Sequence, residues 1–326
     1  MLSVISLSIL TAVLVLAVFV GFCMARATYH QHEDRMASSP PDGSFVDAGD
    51  TKLFVQQEGD QNAPVVVFIH GTGSWSETWR AAMEQVAKQG YRAVAIDLPP
   101  FGFSLPPSSG DYTKVAQAKR LLAALDSMGI QHAAFVAHSF GSAPVVEALL
   151  SNPNRATSLV LVDAALGLDG PQTDGSDNSL QRVLRVKWIS NAISATYLTN
   201  PYFTKSLLQS FITEKDKATP DWVALYQRPL SLSGSYQQVA LWLPNLLADR
   251  GLDKSDDPLA YKQLTFPVTL IWGETDTITP ISQAEHLQGF LPNAKLIKIP
   301  KSGHIPQIEE PEIFLASLNT ALNRQN

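Results

Sequence analysis

Cysteine is almost absent: Cys23 is the only one in 326 residues, so no intrachain disulfide can form and the redox compartment stays unread. Charge is also sparse. Only 17% of residues are charged, the net charge is −6, and no Lys/Arg-rich run occurs. Phosphate binding needs a basic face, which removes nucleic acid from the expected partners. There is no internal repeat, no low-complexity tract, no clustered His/Cys/Asp metal set and no phosphate-cradling loop. No cofactor or metal is therefore expected. What the chain does have is apolar residue, 45% of the total, enough for the core of one large domain or two modest ones.

The first block of that apolar residue is continuous. Residues 2–24 carry no charge. As a helix they would extend roughly 35 Å, which exceeds a hydrocarbon core of ~30 Å. Ser3, Ser6, Ser8 and Thr11 do not prevent this, because their hydroxyls can bond helical carbonyls. The competing reading is a cleaved signal peptide. Ala25-Arg26-Ala27 is a loose cleavage match, but no Lys or Arg precedes the run, and the run is long for a signal. Bulky Phe22 before Cys23 argues against a lipoprotein signal. The expectation is a single-pass N-terminal membrane anchor. Arg26 and Arg35 after it would leave the C-terminal domain in the cytoplasm by the positive-inside rule, but Glu33 and Asp34 dilute them and the side of the membrane stays open.

Residues 25–44 are polar, end in Pro-Pro-Asp-Gly-Ser and read as a linker. "FVDAGDTKLFVQQEG" reads as a hairpin. Strand and helix then alternate: strand 64–70, helix 74–90 with a Ser74/Glu77 capping box, strand 91–97, helix 112–129, strand 133–138, helix 140–150, strand 158–164. Short apolar strands alternating with helices predict a parallel sheet covered on both faces. The alternation stops at "GLDGPQTDGSDNSL" and resumes at "PVTLIWGETD". The intervening stretch is helical in character and aromatic-rich, with Trp188, Trp222 and Trp242 among its residues. The expected organisation is an anchor at 1–24, a linker at 25–44, an α/β core at 45–166 and 264–326, and a helical lid at 167–263.

The chemistry centres on "AHSFGS". Ala137-His138-Ser139-Phe140-Gly141 lies between a strand and a helix, and small residues at 137 and 141 let the turn close and lift the serine out of the sheet. Ligands bind at the carboxyl ends of strands in open α/β sheets, and a serine there needs a base and an acid to orient that base. Asp276 follows "LIWGET" and His304 follows the last strand in "KSGHIPQIEEP". After the first long strand, "HGTG" offers the Thr72 N–H, and the helix start offers the Phe140 N–H, as two donors to an oxyanion.

"FIHGTGSWSETW", "AIDLPPFGFS", "AHSFGS", "WGETDTITP" and "SGHIPQIEEP", in this order, resemble the α/β-hydrolase fold serine hydrolases over roughly residues 50–322, the lid excepted. The resemblance implies a mostly parallel sheet flanked by helices with an inserted lid. It puts the nucleophile on Ser139, the acid on Asp276, the base on His304 and the oxyanion N–H groups on Thr72 and Phe140. Similar families include carboxylesterases, monoacylglycerol lipases with an N-terminal span, cofactor-free haloperoxidase-like enzymes and hydrolases of meta-cleavage products. An Asp nucleophile would point to dehalogenases or epoxide hydrolases, and Ser139 argues against both.

Two departures stand out: Ala137 replaces the first glycine of the turn, and Pro100 replaces a glycine in "DLPPFGFS". Pro144 is expected to kink the first turn of the helix after Ser139. Asp163, also at a strand end, is the rival acid. His70 and Asp97 are expected to shape loops, His138 to point away from Ser139, with lining of the pocket only the less favoured alternative, and Glu274, His286 and His132 to be surface residues. The resulting expectation is an enzyme that cleaves an apolar or lipid carboxylic ester through an acyl-enzyme. The alternatives are a C–C bond hydrolase of ring-cleavage products, or a silent ligand-binding protein on the same fold.

Overall fold

Eight strands form one sheet in the order β1-β2-β4-β3-β5-β6-β7-β8. They are β1 (Gly43–Asp47), β2 (Lys52–Glu58), β3 (Val65–Ile69), β4 (Arg92–Ile96), β5 (Ala133–His138), β6 (Ala156–Val162), β7 (Val268–Gly273) and β8 (Ala294–Ile299). The computed structural model describes residues 2–168, 179–247, 253–291 and 293–323. β1 and β2 are the antiparallel hairpin read from the sequence, β2 joins β4 antiparallel, and every other pairing is parallel. β5 and β7 are buried along their whole length, which explains their unbroken apolar sequences. Along β3 the side chains alternate: Val67 and Ile69 enter one core layer, Val66 and Phe68 the other.

Helices cover both faces. α1 (Leu2–His30) stands at the N-terminus, and α2 (Arg80–Lys88), α3 (Lys114–Ser127) and α4 (Ser142–Ser151) follow β3, β4 and β5. Leu121, Leu125, Val145 and Leu149 of α3 and α4 close one layer; Met83 and Val86 of α2, with Phe314 and Leu318 near the C-terminus, close the other. The expected Ser74/Glu77 capping box does not form. Ser74 Oγ bonds Thr78 Oγ1, Glu77 pairs with Arg80, and a 3-10 turn at Ser76–Trp79 precedes α2. The expected kink at Pro144 has an equally local resolution. A 3-10 turn occupies Ser139–Gly141 and α4 starts at Ser142, so Pro144 falls in the first helical turn, where no N–H partner is needed.

Between β6 and β7 the chain leaves the sheet. α5 (Ser179–Leu184), α6 (Lys187–Ile193), α7 (Pro201–Phe211), α8 (Pro220–Gln227) and α9 (Ser235–Trp242) make up the helical insertion, and most of "GLDGPQTDGSDNSL" (169–178) and residues 248–252 lie outside the described residues. α10 (Ile281–Gln288), α11 (Pro306–Glu309) and α12 (Pro311–Leu322) complete the core.

α1 runs past the apolar block to His30. Its apolar side chains at Leu10, Leu14, Phe19 and Phe22 are exposed around the helix, and residues Leu10–His30 are long and apolar enough to cross a membrane; a signal sequence has the same character. The residues expected as a linker are not free. Gln31 and Arg35 are buried: Arg35 donates to Gly102 O (2.8 Å) and Ser235 Oγ (3.1 Å), and Glu33 pairs with Arg228 at 2.9 Å.

Candidate active site

β5 ends deep in the sheet, and the chain has to reverse within three residues to enter α4. Ser139 takes φ 48°, a left-handed backbone that costs a residue with a Cβ roughly 1–2 kcal/mol. Two glycines give the turn its room. A Cβ on Gly141 would lie 2.5 Å from His70 O, and one on Gly71 would lie 2.5 Å from His138 Nδ1 and 3.2 Å from Ser139 Cβ. The loop after β3 therefore rests directly against the serine turn. The strain leaves the Ser139 hydroxyl at the carboxyl edge of β5, facing a cavity.

A continuous chain of hydrogen bonds leads away from that hydroxyl. Ser139 Oγ donates to His304 Nε2 at 2.8 Å, and His304 Nδ1 donates to Asp276 Oδ2, also at 2.8 Å. A carboxylate can only accept, so the proton on the ring sits on Nδ1 and Nε2 is left as the acceptor. Asp276 is positioned by its own turn: Oδ1 accepts the N–H groups of Ile278 (2.7 Å) and Thr279 (3.1 Å), and Oδ2 accepts the Thr279 hydroxyl (2.7 Å). Burial pushes the Asp276 carboxyl up, but the bonds from His304, Thr279 and Ile278 outweigh it and hold the group below its ordinary value. It stays ionised.

Asp163, the rival acid, lies beside this pair. Its carboxyl, that of Asp276 and a His304 nitrogen are all within 4.8 Å of one another. Asp163 makes no bond to His304; its Oδ1 accepts Gly273 N–H at 2.9 Å. Complete burial, and then the negative charge of Asp276, push the Asp163 carboxyl well above its ordinary value, whereas Asp276 is held below its own. The two acids thus differ in the direction of their shift as well as in position.

The surrounding residues hold this line in place. His138, expected to point away from Ser139, lines the same cavity, and its Nε2 donates to the backbone oxygen of His304 at 2.8 Å. Burial drops its pKa to about 3, so it is neutral. His70 and Asp97 shape loops as expected. His70 Nε2 accepts Leu98 N–H, and Asp97 accepts the N–H groups of Ser76 and Phe103. Glu274, His286 and His132 are exposed. Thr279 and Glu309 escaped the sequence reading. Buried Glu309 accepts Gly303 N–H (2.8 Å) and Thr213 N–H (2.7 Å), tying the loop before His304 to the end of α7. The acidic pair in "IEEP" is the only sequence signal for it.

The cavity over Ser139 measures about 140 Å³, and the inserted helices supply most of its wall, including Leu208, Phe211, Tyr226 and Trp242. Trp242 also borders a second cavity of about 350 Å³, and Thr72 borders both; Phe140 lines the second. Of the two residues expected as oxyanion donors, Thr72 borders the Ser139 cavity and Phe140, the residue after Ser139, borders the second one. Of the three tryptophans of the helical insertion, Trp242 alone faces these cavities; Trp222 is half-buried in a small separate core, and Trp188 is 69% exposed.

The sheet order, and a site built at strand ends from three separate loops, define the α/β-hydrolase class. Residues 64–311 match the family described as alpha/beta hydrolase fold, and the chain belongs to it. It is 25% identical over 274 residues to a pimeloyl-[acyl-carrier protein] methyl ester esterase of Aliivibrio fischeri (strain MJ11), covering 84% of this chain and 98% of that one. It is 26% identical over 256 residues to a 2-hydroxymuconate semialdehyde hydrolase of Pseudomonas sp. (strain CF600), covering 76% and 83%. Among solved structures, a bacterial membrane phospholipase A superposes with a TM-score of 0.69 at 19% identity, covering 99% of this chain and 96% of that one. The protein is an enzyme, a hydrolase of this family.

Proposed function

We propose that the enzyme is a serine hydrolase of carboxylic esters with an apolar acyl group. The carrying observation is the pair of 2.8 Å bonds joining Ser139 to His304 and His304 to Asp276. His304 Nε2 takes the hydroxyl proton as Ser139 Oγ attacks the acyl carbonyl. Ionised Asp276 stabilises the imidazolium that forms and keeps Nε2 in the accepting tautomer. The N–H groups of Thr72 and Phe140 receive the oxyanion. The imidazolium then protonates the leaving alcohol, and water, deprotonated by the same nitrogen, releases the acid.

The choice of ester rests on the wall of the Ser139 cavity. It has no Lys or Arg among its described residues, and leucines and aromatics dominate it. Each methylene of an acyl chain buried there gains about 0.8 kcal/mol. C–C hydrolysis of a ring-cleavage product, the alternative reading, calls for a partner to a dienoate carboxylate; the Pseudomonas relative is named a 2-hydroxymuconate semialdehyde hydrolase. Lys114, which lines the second cavity, is already paired with Asp256 and Asp253. We also infer that α1 anchors the enzyme in a membrane, that residues 167–263 form a lid, and that the substrate is a lipid ester or a similar apolar small molecule. The test is turnover of p-nitrophenyl esters beside a 2-hydroxy-6-oxo-dienoate. Ester hydrolysis with a burst of p-nitrophenol supports the reading, and turnover of the dienoate alone overturns it.

A further inference from the structure

A third cavity, about 330 Å³, lies where the end of α1 meets the inserted helices. Arg26 and His30 of α1 form one side, Asn200 and Gln227 the other, and Thr199 and Leu230 close its inner end. Thr199 and Leu230 also line the cavity over Ser139. Thr199 and Leu230 therefore stand between the cavity at the foot of α1 and the cavity over the serine.

That layer is coupled to α1 itself. Gln31, the residue after α1, donates to Thr199 Oγ1 at 3.2 Å and accepts Tyr236 N–H at 2.8 Å. Arg26 is stacked over the Tyr202 ring at 4.9 Å. Tyr29, Tyr202 and Trp188 are 77%, 78% and 69% exposed, and they lie on α1 and on two helices of the insertion, α7 and α6, the latter packed against α1. Tyr and Trp concentrate where a protein meets the headgroup layer of a bilayer, so the outer mouth of this cavity is placed at that level when α1 spans the membrane.

We propose that the cavity at the foot of α1 is a port through which an ester-linked bilayer lipid reaches Ser139, the Thr199–Leu230 partition opening to admit the acyl chain. The inference rests on the ester-hydrolase and anchor readings above. A port at this level lets the chain pass from bilayer to cavity without exposing its methylenes to water, which is unfavourable for each one. Small soluble esters have another way in through the larger cavity that shares Thr72 and Trp242 with the Ser139 chamber.

The test uses full-length protein in dioleoyl phosphatidylcholine vesicles. Gln227 borders the outer cavity and not the chamber over Ser139, and Cys23 is the only native cysteine. Gln227→Cys is made in a Cys23→Ser background and modified with a bulky methanethiosulfonate; Ser231→Cys, on the same cavity, is the second variant. The expected result is at least a tenfold loss of vesicle-lipid hydrolysis on modification, with p-nitrophenyl acetate hydrolysis unchanged within twofold, and full recovery on reduction. Lipid hydrolysis unaffected by modification at either position overturns the port while leaving the esterase intact. Equal loss on both substrates also overturns it, by placing the effect in the chamber. An unmodified enzyme that hydrolyses neither ester overturns the ester reading, and the port with it.

Discussion

Replacing Asp276 by Asn should abolish most of the activity, while the same change at Asp163 should not, and the structure sets the size of the difference. Asp276 receives four hydrogen bonds, two on Oδ1 from backbone N–H groups and two on Oδ2 from Thr279 and His304. An asparagine keeps the backbone pair by placing its single oxygen at Oδ1. Its NH2 group then occupies the Oδ2 position and points donors at His304 Nδ1. To avoid a donor–donor clash the ring shifts its proton to Nε2, where it can no longer accept from Ser139. Loss of the correct tautomer in a triad of this kind costs about 10⁴ in kcat, or roughly 5.5 kcal/mol of barrier. Asp163 accepts Gly273 N–H and makes no bond to His304, its burial favours the uncharged carboxyl, and asparagine is a near-isosteric uncharged replacement. Its expected cost is within about tenfold. The assay is kcat/KM on a p-nitrophenyl ester at pH 7.5, with thermal melts to show that both variants fold. Equal losses, or a larger loss at Asp163, would refute the assignment of Asp276 as the orienting acid.

Three further outcomes are expected. Asp97 is fully buried and pushed up to about 6, so the native state holds its proton to higher pH than the unfolded chain does. Its contribution to stability is present below the unfolded value and lost between about pH 4 and 6, a change of roughly 3 kcal/mol; relative to Asp97→Asn, urea denaturation of the wild-type protein should show that extra decline, and parallel pH profiles would contradict it. Trp242 packs edge-on against Phe101 (4.9 Å) and Phe140 (5.5 Å) and borders both cavities at the serine. Trp242→Ala should lower stability by about 3–5 kcal/mol and move the acyl-length optimum for p-nitrophenyl esters to longer chains, and an unchanged length profile in a folded variant rejects its role as a wall. Full-length protein should resist alkaline carbonate extraction, whereas a native N-terminus at Ala27 or Thr28 would establish a cleaved signal in place of an anchor.

Strand periodicity and turn residues made the sheet legible, because each of those signals is local. β5, for instance, occupies the six residues of "AAFVAH". Ser139, Asp276 and His304 were legible for a related reason: each ends or follows a strand in the order that the resemblance supplies. Contacts between distant residues were not legible. Thr279 touches Asp163 O and His304, 116 and 25 residues away, and His138 supports the carbonyl of His304, 166 residues away. Residues 25–44 read as a linker because polar residues without periodicity look solvated. Arg35 bonds Gly102 and Ser235, 67 and 200 residues along the chain, contacts that no local pattern announces. Ser74 and Glu77 have the spacing of a cap, but Asp97, from another strand end, takes the Ser76 N–H at 2.6 Å and the helix begins differently.

Covalent labelling distinguishes Ser139 from every other candidate nucleophile. Ser139 is 6% exposed but opens onto its cavity, so a small fluorophosphonate should reach it. Peptide mass spectrometry of the treated enzyme should place the adduct on Ser139 at one equivalent, with activity lost in proportion, and Ser139→Ala should remain unlabelled. An adduct on another residue with full inactivation, or equal labelling of the folded alanine variant, would contradict the assignment of the nucleophile to Ser139.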